Sequence, residues 1–168
     1  MDFQWGGILL IGLMNSPQLK ENLEVSKMLL FAPGFLSDST LLLGGFITSL
    51  FPNMKINGGD YNYSYAKTYH AKKFKPLFEV NNQLKKIGIQ KANIPTLVFI
   101  SDNDETIDSK KLFQHAKSEL PNWEIYPIYN HNNEEKDKDL FHMITLKEYA
   151  DHQEWKRMEI DINLFIND

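Results

Sequence analysis

Residues 94–108 read Ile-Pro-Thr-Leu-Val-Phe-Ile-Ser-Asp-Asn-Asp-Glu-Thr-Ile-Asp, and this stretch decides how the chain folds. After Pro95 an apolar, β-branched run continues to Ile100, which is typical of a buried parallel strand. The run ends in a cluster of carboxylates, and α/β proteins keep their chemistry at the carboxyl ends of such strands. The stretch therefore predicts an α/β protein with acidic side chains at a functional edge of its sheet.

The rest of the chain predicts further strands and helices around that central run. Strands are expected over Lys27–Ala32 and Trp123–Tyr129, the second at or near an edge because Pro127 cannot donate to a ladder. Apolar spacing predicts helices over Gly6–Met14, around Leu41–Phe51, through Leu77, Val80, Leu84 and Ile87, over Lys110–Leu120 with Asp108 or Ser109 as cap, and through Trp155, Met158, Ile162 and Phe165. Gly6, Gly7 and Gly12 leave room for a close neighbour. The resulting interpretation is one domain over residues 1–168, with a helical lid inserted at about residues 35–88.

Composition excludes several classes of function. A chain of 168 residues with 42% apolar residues can bury a real core, and a net charge of −4 without a basic stripe argues against a nucleic-acid binder. The absence of cysteine excludes disulfides, thiolate metal sites and a cysteine nucleophile, and it is compatible with the cytoplasmic location that we expect. The apolar runs are too short or too interrupted to span a bilayer.

Asp104 and His142 are the candidate catalytic residues. An acid after one parallel strand and a histidine in the loop after the next can meet at adjacent strand ends, as the acid and base of a triad do. The structural alternative for Asp104 is an ordinary polar turn before a helix, with Asp102 or Asp108 as a cap. His142 lies among apolar residues, so its alternative is a core histidine. The spacing of the histidines gives a metal site little support, and we expect neither a metal nor a cofactor.

Three segments carry a resemblance to a known family. Residues 95–107, the segment His142-Met143-Ile144-Thr145-Leu146 and the run Leu29–Pro33 resemble the C-terminal portion of serine α/β-hydrolases of the carboxylesterase and monoacylglycerol lipase type. The resemblance implies a partial α/β-hydrolase fold, with a short parallel sheet flanked by helices and a lid. It also implies that the Lys27–Ala32 strand pairs on one side with the Pro95–Ser101 strand.

The nucleophile of that family is missing here. The family's elbow, Gly-x-Ser-x-Gly-Gly, holds a strained serine between a strand and a helix. The register set by Gly6 and Gly7 places Asp2 at the first glycine and Gln4 at the serine, and Gln4 has no nucleophilic oxygen. The backbone N–H of Trp5 remains a candidate for half of an oxyanion hole.

Two classes of function follow from these observations. The first is a truncated serine-hydrolase scaffold for carboxylic esters with apolar acyl chains. We expect this chain alone to be inactive. The second is a non-catalytic relative that binds a lipid-like ligand or a protein partner. The resemblance implies that the other side of the Lys27–Ala32 strand pairs with the nucleophile's strand, which this chain lacks. We therefore expect a homo-oligomer or a separate N-terminal half as partner.

Overall fold

The computed structural model describes residues 3–15, 24–33, 49–57, 68–104, 107–129, 144 and 151–168. Within these ranges the helices are α1 (Phe3–Asn15), α2 (Lys75–Ile87), α3 (Ser109–Glu119) and α4 (His152–Asn167). The strands are β1 (Met28–Phe31), β2 (Lys55–Asn57), β3 (Thr68–His70), β4 (Thr96–Ser101) and β5 (Trp123–Ile128). Short 3₁₀ turns precede α2 and β4, at Ala71–Phe74 and Gln90–Ala92.

A parallel sheet of three strands in the order β1-β4-β5 organises the described part of the chain. Thr96 at the start of β4 lies opposite Met28 of β1 and Trp123 of β5. All six residues of β4 are buried, as the apolar run predicted. β5 lies at an edge of this sheet, where Pro127 is tolerated. An α/β fold with a small parallel sheet is therefore confirmed.

Helix α1 packs on one face of the sheet, and its glycines permit a close approach at two of three positions. A Cβ added at Gly7 would lie 3.0 Å from Cβ of Pro33, and one added at Gly12 would lie 2.7 Å from Cγ1 of Val80 in α2. At Gly6 nothing lies within 4 Å, so the expectation of a close neighbour there is wrong. The small residues thus serve the contacts of α1 with the end of β1 and with α2.

Helix α4 is tied to both outer strands of the sheet. Nη2 of Arg157 donates to the carbonyl of Pro127 in β5 at 2.7 Å. At the other end, Nζ of Lys27, just before β1, donates to the carbonyl of Phe165 at 2.8 Å and lies 5.4 Å from the centre of its ring. Met158 is buried in the core between these two contacts. The closing amphipathic helix is therefore confirmed.

The core is continuous through the sheet and its helices. The ring of Phe99 in β4 lies 5.6 Å from that of Phe31 and 5.9 Å from that of Tyr126. Since successive side chains of a strand point to opposite faces, these rings share one face and Leu30, which contacts the region of Gly7, lies on the other. The largest fully buried side chains are Phe99, Ile11, Leu97, Ile100, Leu112, Leu120, Ile128, Ile144, Met158 and Val98.

The insertion expected at residues 35–88 contains strands as well as helix. In its described part, β2 and β3 form an antiparallel pair with Lys55 opposite His70, and α2 follows. The helix predicted through Leu77–Ile87 is confirmed, whereas the strand pair was not predicted. A strand of three residues is too short to show the alternation of apolar and polar residues by which strands are recognised in a sequence. Most of the helix expected around Leu41–Phe51 lies outside the described residues. No helix in the described ranges is long and apolar enough to cross a membrane.

Candidate functional site

Three chain segments come together at the carboxyl edge of the parallel sheet. β4 ends at Ser101 and continues into the carboxylate loop, residues 102–104. Beside it, β1 ends at Phe31, and the N–H of the next residue, Ala32, donates to the carbonyl of Phe99 at 2.8 Å. Pro33 follows and lies against Gly7, so the first turns of α1 are next to the end of β1. The carboxylate loop, the end of β1 and the beginning of α1 therefore lie together at this edge.

Hydrogen bonds within the chain stabilise the carboxylate loop. Oδ1 of Asp104 accepts from the backbone N–H of Ile107 at 2.8 Å, and the N–H of Asp104 lies 3.3 Å from the carbonyl of Ser101. The hydroxyl of Ser109 donates back to the carbonyl of Asp102 at 3.1 Å. Ile107 is buried, Asp104 is half-buried and Asp102 is exposed. Asp104 is thus better shielded from solvent than Asp102, and its orientation is set by the backbone.

The bond from Ile107 supports the structural interpretation of Asp104 as the acceptor of a polar turn. Asp108 makes the corresponding bond for α3, since its Oδ1 accepts from the N–H of Lys111 at 3.1 Å and it is the N-cap of that helix. A carboxylate has about four acceptor positions, so a turn bond to one oxygen is compatible with a further bond to an imidazole. The geometry of Asp104 therefore agrees with both of its interpretations.

His142 lies outside the described residues, so its distance from Asp104 stays a prediction. The described residue nearest to it along the chain is Ile144, which is fully buried in the same core as Ile107. Of the other histidines, His115 contacts the carboxylate of Glu119 on the same helix, with 3.1 Å between Nδ1 and Oε1. That pair lies on the partly exposed surface of α3.

Gln4 and Trp5 are the second and third residues of α1. The first four N–H groups of an α-helix have no acceptor within the helix, and this group includes the N–H of Trp5. The side chains of both residues lie outside the description. The assignment of the Trp5 N–H to half of an oxyanion hole stays a prediction.

Ala32 is a residue of this edge that the sequence did not single out. Its φ of 41° is the only positive value among the described non-glycine residues. Such a left-handed conformation costs roughly 1–2 kcal/mol for a residue with a Cβ, and strained residues cluster at functional sites. Ala32 is also buried. The sequence signal was only that Pro33 follows, which indicates a turn but not its handedness.

Tyr126 in β5 is the titratable group of the sheet with a displaced pKa. Burial raises the pKa of Tyr126 above its ordinary value of 10.0, and the neighbouring carboxylates of Glu124 and Asp161 raise it further. Its hydroxyl lies 3.4 Å from Oε2 of Glu124. Arg157 lowers the pKa in part. The phenol therefore stays neutral over the physiological range.

Comparison of the chain with protein-family models, with curated proteins and with solved structures gave no match. The resemblance to serine α/β-hydrolases thus rests on the sequence segments themselves and not on a relative. The parallel order β1-β4-β5 is compatible with it.

Proposed function

We propose that this chain has a serine-hydrolase scaffold of the carboxylesterase and lipase type, suited to carboxylic esters with apolar acyl chains. In this proposal Asp104 is the acid, His142 is the base, and Gln4 occupies the position of the nucleophile. The observation that carries the proposal is the half-buried carboxylate of Asp104, which lies in the loop after the central parallel strand β4 and accepts a bond from the N–H of Ile107. It lies at the sheet edge where such chemistry occurs in α/β proteins.

The chemistry assigns a separate role to each residue. The carboxylate of Asp104 would hold the imidazole of His142 in one tautomer and stabilise its protonated form. The imidazole would take the proton from an attacking hydroxyl. The amide of Gln4 cannot attack an ester carbonyl, so no acyl-enzyme forms and this chain alone does not turn over esters. A fluorophosphonate probe should leave the protein unlabelled, and labelling of any serine would refute the assignment of Gln4.

The pairing of Asp104 with His142 is tested by NMR on protein with ¹⁵N-labelled histidine. Asp104→Asn keeps an oxygen for the N–H of Ile107 but removes the negative charge, so the loop is expected to remain ordered. The ring N–H signal of His142, assigned with a His142→Gln variant, should be visible in the wild type and should broaden or vanish in Asp104→Asn. Asp102→Asn makes the same change at an exposed position and is the control.

The outcomes of this experiment separate the two interpretations of Asp104. Loss of the His142 ring signal in Asp104→Asn alone supports the acid and base pair. A signal that is absent from the wild type, or that is the same in both variants, means that Asp104 acts only as the acceptor of a turn. Unfolding curves of the variants check that the substitutions in the carboxylate loop have not altered the stability of the fold.

A second candidate is a non-catalytic relative of these hydrolases that binds a lipid-like ligand or a partner protein. The edge of β1 that faces away from β4 favours it. The N–H of Met28 donates to the carbonyl of Pro95, just before β4, and the N–H of Ala32 donates to that of Phe99. By the alternation of a parallel ladder, Leu29 and Phe31 direct their backbone groups away from β4. In the described ranges no strand pairs on that side.

An unpaired apolar edge readily pairs with another chain, and a homo-oligomer is the partner that we propose. The location we propose is cytoplasmic. Sedimentation at micromolar concentration should give a dimer or larger species, and Leu29→Pro, which removes an outward N–H, should shift it to monomer. A wild-type protein that sediments as a folded monomer contradicts this assembly.

A further inference from the structure

A surface beside the β2–β3 strand pair combines exposed apolar and basic side chains. Leu50, Phe51 and Met54, in the turn before β2, are exposed by 55%, 59% and 41%. Monomeric proteins show single exposed apolar residues as a matter of course, whereas a group of them beside one another marks an interaction site.

Backbone contacts place lysines directly beside these apolar residues. The N–H of Ala71 donates to the carbonyl of Met54 at 2.8 Å, and the N–H of Lys72 donates to that of Pro52 at 2.9 Å. Lys55 lies opposite His70 in the strand pair, and Lys55, Lys72 and Lys73 are all exposed. We call the set Leu50, Phe51, Met54, Lys55, Lys72 and Lys73 the hairpin patch.

The charge of the hairpin patch contrasts with that of the whole chain. Residues 49–57 and 68–75 contain no aspartate or glutamate, although the chain has a net charge of −4. Lys75 has a carboxylate neighbour, Glu79, with 3.8 Å between the charged groups, and is therefore left out of the patch. Within these described segments the patch is thus an excess of positive charge next to three exposed apolar side chains.

Other exposed apolar residues lie in a different electrostatic setting. Ile160 and Leu164 on α4 are exposed by 59% and 65%, and the exposed charged residues next to Ile160 are Lys156, one turn earlier, and Glu159. Their opposite charges offset each other, so this face lacks the positive excess of the hairpin patch. Charge therefore distinguishes the hairpin patch from the exposed residues of α4.

We propose that the hairpin patch docks the protein onto an anionic lipid bilayer. Apolar side chains that enter the headgroup region, flanked by lysines that attract anionic lipids, are the features of peripheral membrane binding. Lysine is depleted at protein–protein interfaces. Its flexible side chain and strongly hydrated ammonium group are better suited to a diffuse anionic surface than to a tightly packed protein interface. The inference uses neither Asp104 nor His142 and is independent of the proposed activity.

Vesicle co-sedimentation of the full chain tests the proposal. The protein should bind phosphatidylcholine vesicles that contain phosphatidylserine and should bind pure phosphatidylcholine vesicles much more weakly. Each lysine near such a surface contributes a factor of roughly five in affinity, so Lys55→Gln, Lys72→Gln and Lys73→Gln together should weaken binding by about a hundredfold. Raised salt should weaken it as well.

A matched triple variant separates the patch from net charge. Lys91→Gln, Lys110→Gln and Lys117→Gln remove the same charge at exposed positions elsewhere and should leave binding within about a factor of three of the wild type, because charges beyond a Debye length of roughly 10 Å are screened. Phe51→Ser should weaken binding, whereas Ile160→Ser on α4 should not. Equal losses in the two triple variants, or no preference for phosphatidylserine, would overturn the proposal.

Discussion

Replacing Ala32 by glycine tests whether the end of β1 is strained. The φ of 41° at Ala32 lies in the left-handed region, which glycine adopts without a steric penalty. Ala116 is the matched control, because it is 5% exposed against 3% for Ala32 and lies inside helix α3 with an ordinary backbone conformation. Both exchanges remove one buried methyl group and loosen the unfolded chain in the same way.

The expected free energies follow from these terms. At either position, loss of the buried methyl group costs about 0.8 kcal/mol. Added freedom of the unfolded chain and lower helix propensity bring the total for Ala116→Gly to about 1.5–2 kcal/mol. At Ala32 relief of the left-handed conformation returns about 1–2 kcal/mol. The lost methyl group and the added freedom of the unfolded chain together cost roughly 1.5 kcal/mol at Ala32. Since relief of the left-handed conformation nearly cancels this cost, the free energy of unfolding of Ala32→Gly should be within about 0.5 kcal/mol of the wild-type value.

Equilibrium unfolding in urea, followed by tryptophan fluorescence, measures both free energies. The difference of about 1–2 kcal/mol between the two glycine variants reports the strain itself, provided that the slope against urea is unchanged. Ala32→Val should be markedly less stable than the wild type, since a β-branched residue tolerates a positive φ poorly. Equal destabilisation by Ala32→Gly and Ala116→Gly would refute the strain at β1.

Two further predictions concern α1 and β5. Gly6→Ala should stabilise the protein by up to about 1 kcal/mol, because a helix favours alanine and the site is open. Gly12→Ala should destabilise it, because the added methyl group would clash with the stiff side chain of Val80. Thermal unfolding of the two variants checks this contrast, and equal shifts in melting temperature contradict it. The pKa of Tyr126 should fall toward 10.0 in Glu124→Gln, as measured by tyrosinate absorbance. Because the pKa of Tyr126 is raised in the native state, the stability that this phenol contributes is fully present below pH 10 and is lost as the pH rises through the native pKa. An unchanged pKa of Tyr126 in Glu124→Gln would exclude the contribution of the carboxylate.

Local pattern was sufficient for the elements that have long apolar periodicity. The central strand β4, the edge strand β5 and the helices α2, α3 and α4 all lie where their spacing predicted, and Asp108 caps α3 as one of two expected residues. The same pattern missed the pairing of β2 with β3, because each strand offers only three residues. Of the candidate site, the sequence located the carboxylate loop at the end of β4 but not the bond from Ile107 to Asp104.

The sequence by itself determined which segments are buried and where carboxylates interrupt them, since burial periodicity and turn chemistry are local properties. Tertiary structure decided the order β1-β4-β5, the close contacts of Gly7 and Gly12, and the left-handed backbone of Ala32. These features depend on residues far apart in the chain: Ala32 adopts its conformation where its N–H bonds to Phe99 at the end of the sheet. Such pairing is set by the packing of whole elements, and no local window of sequence contains it.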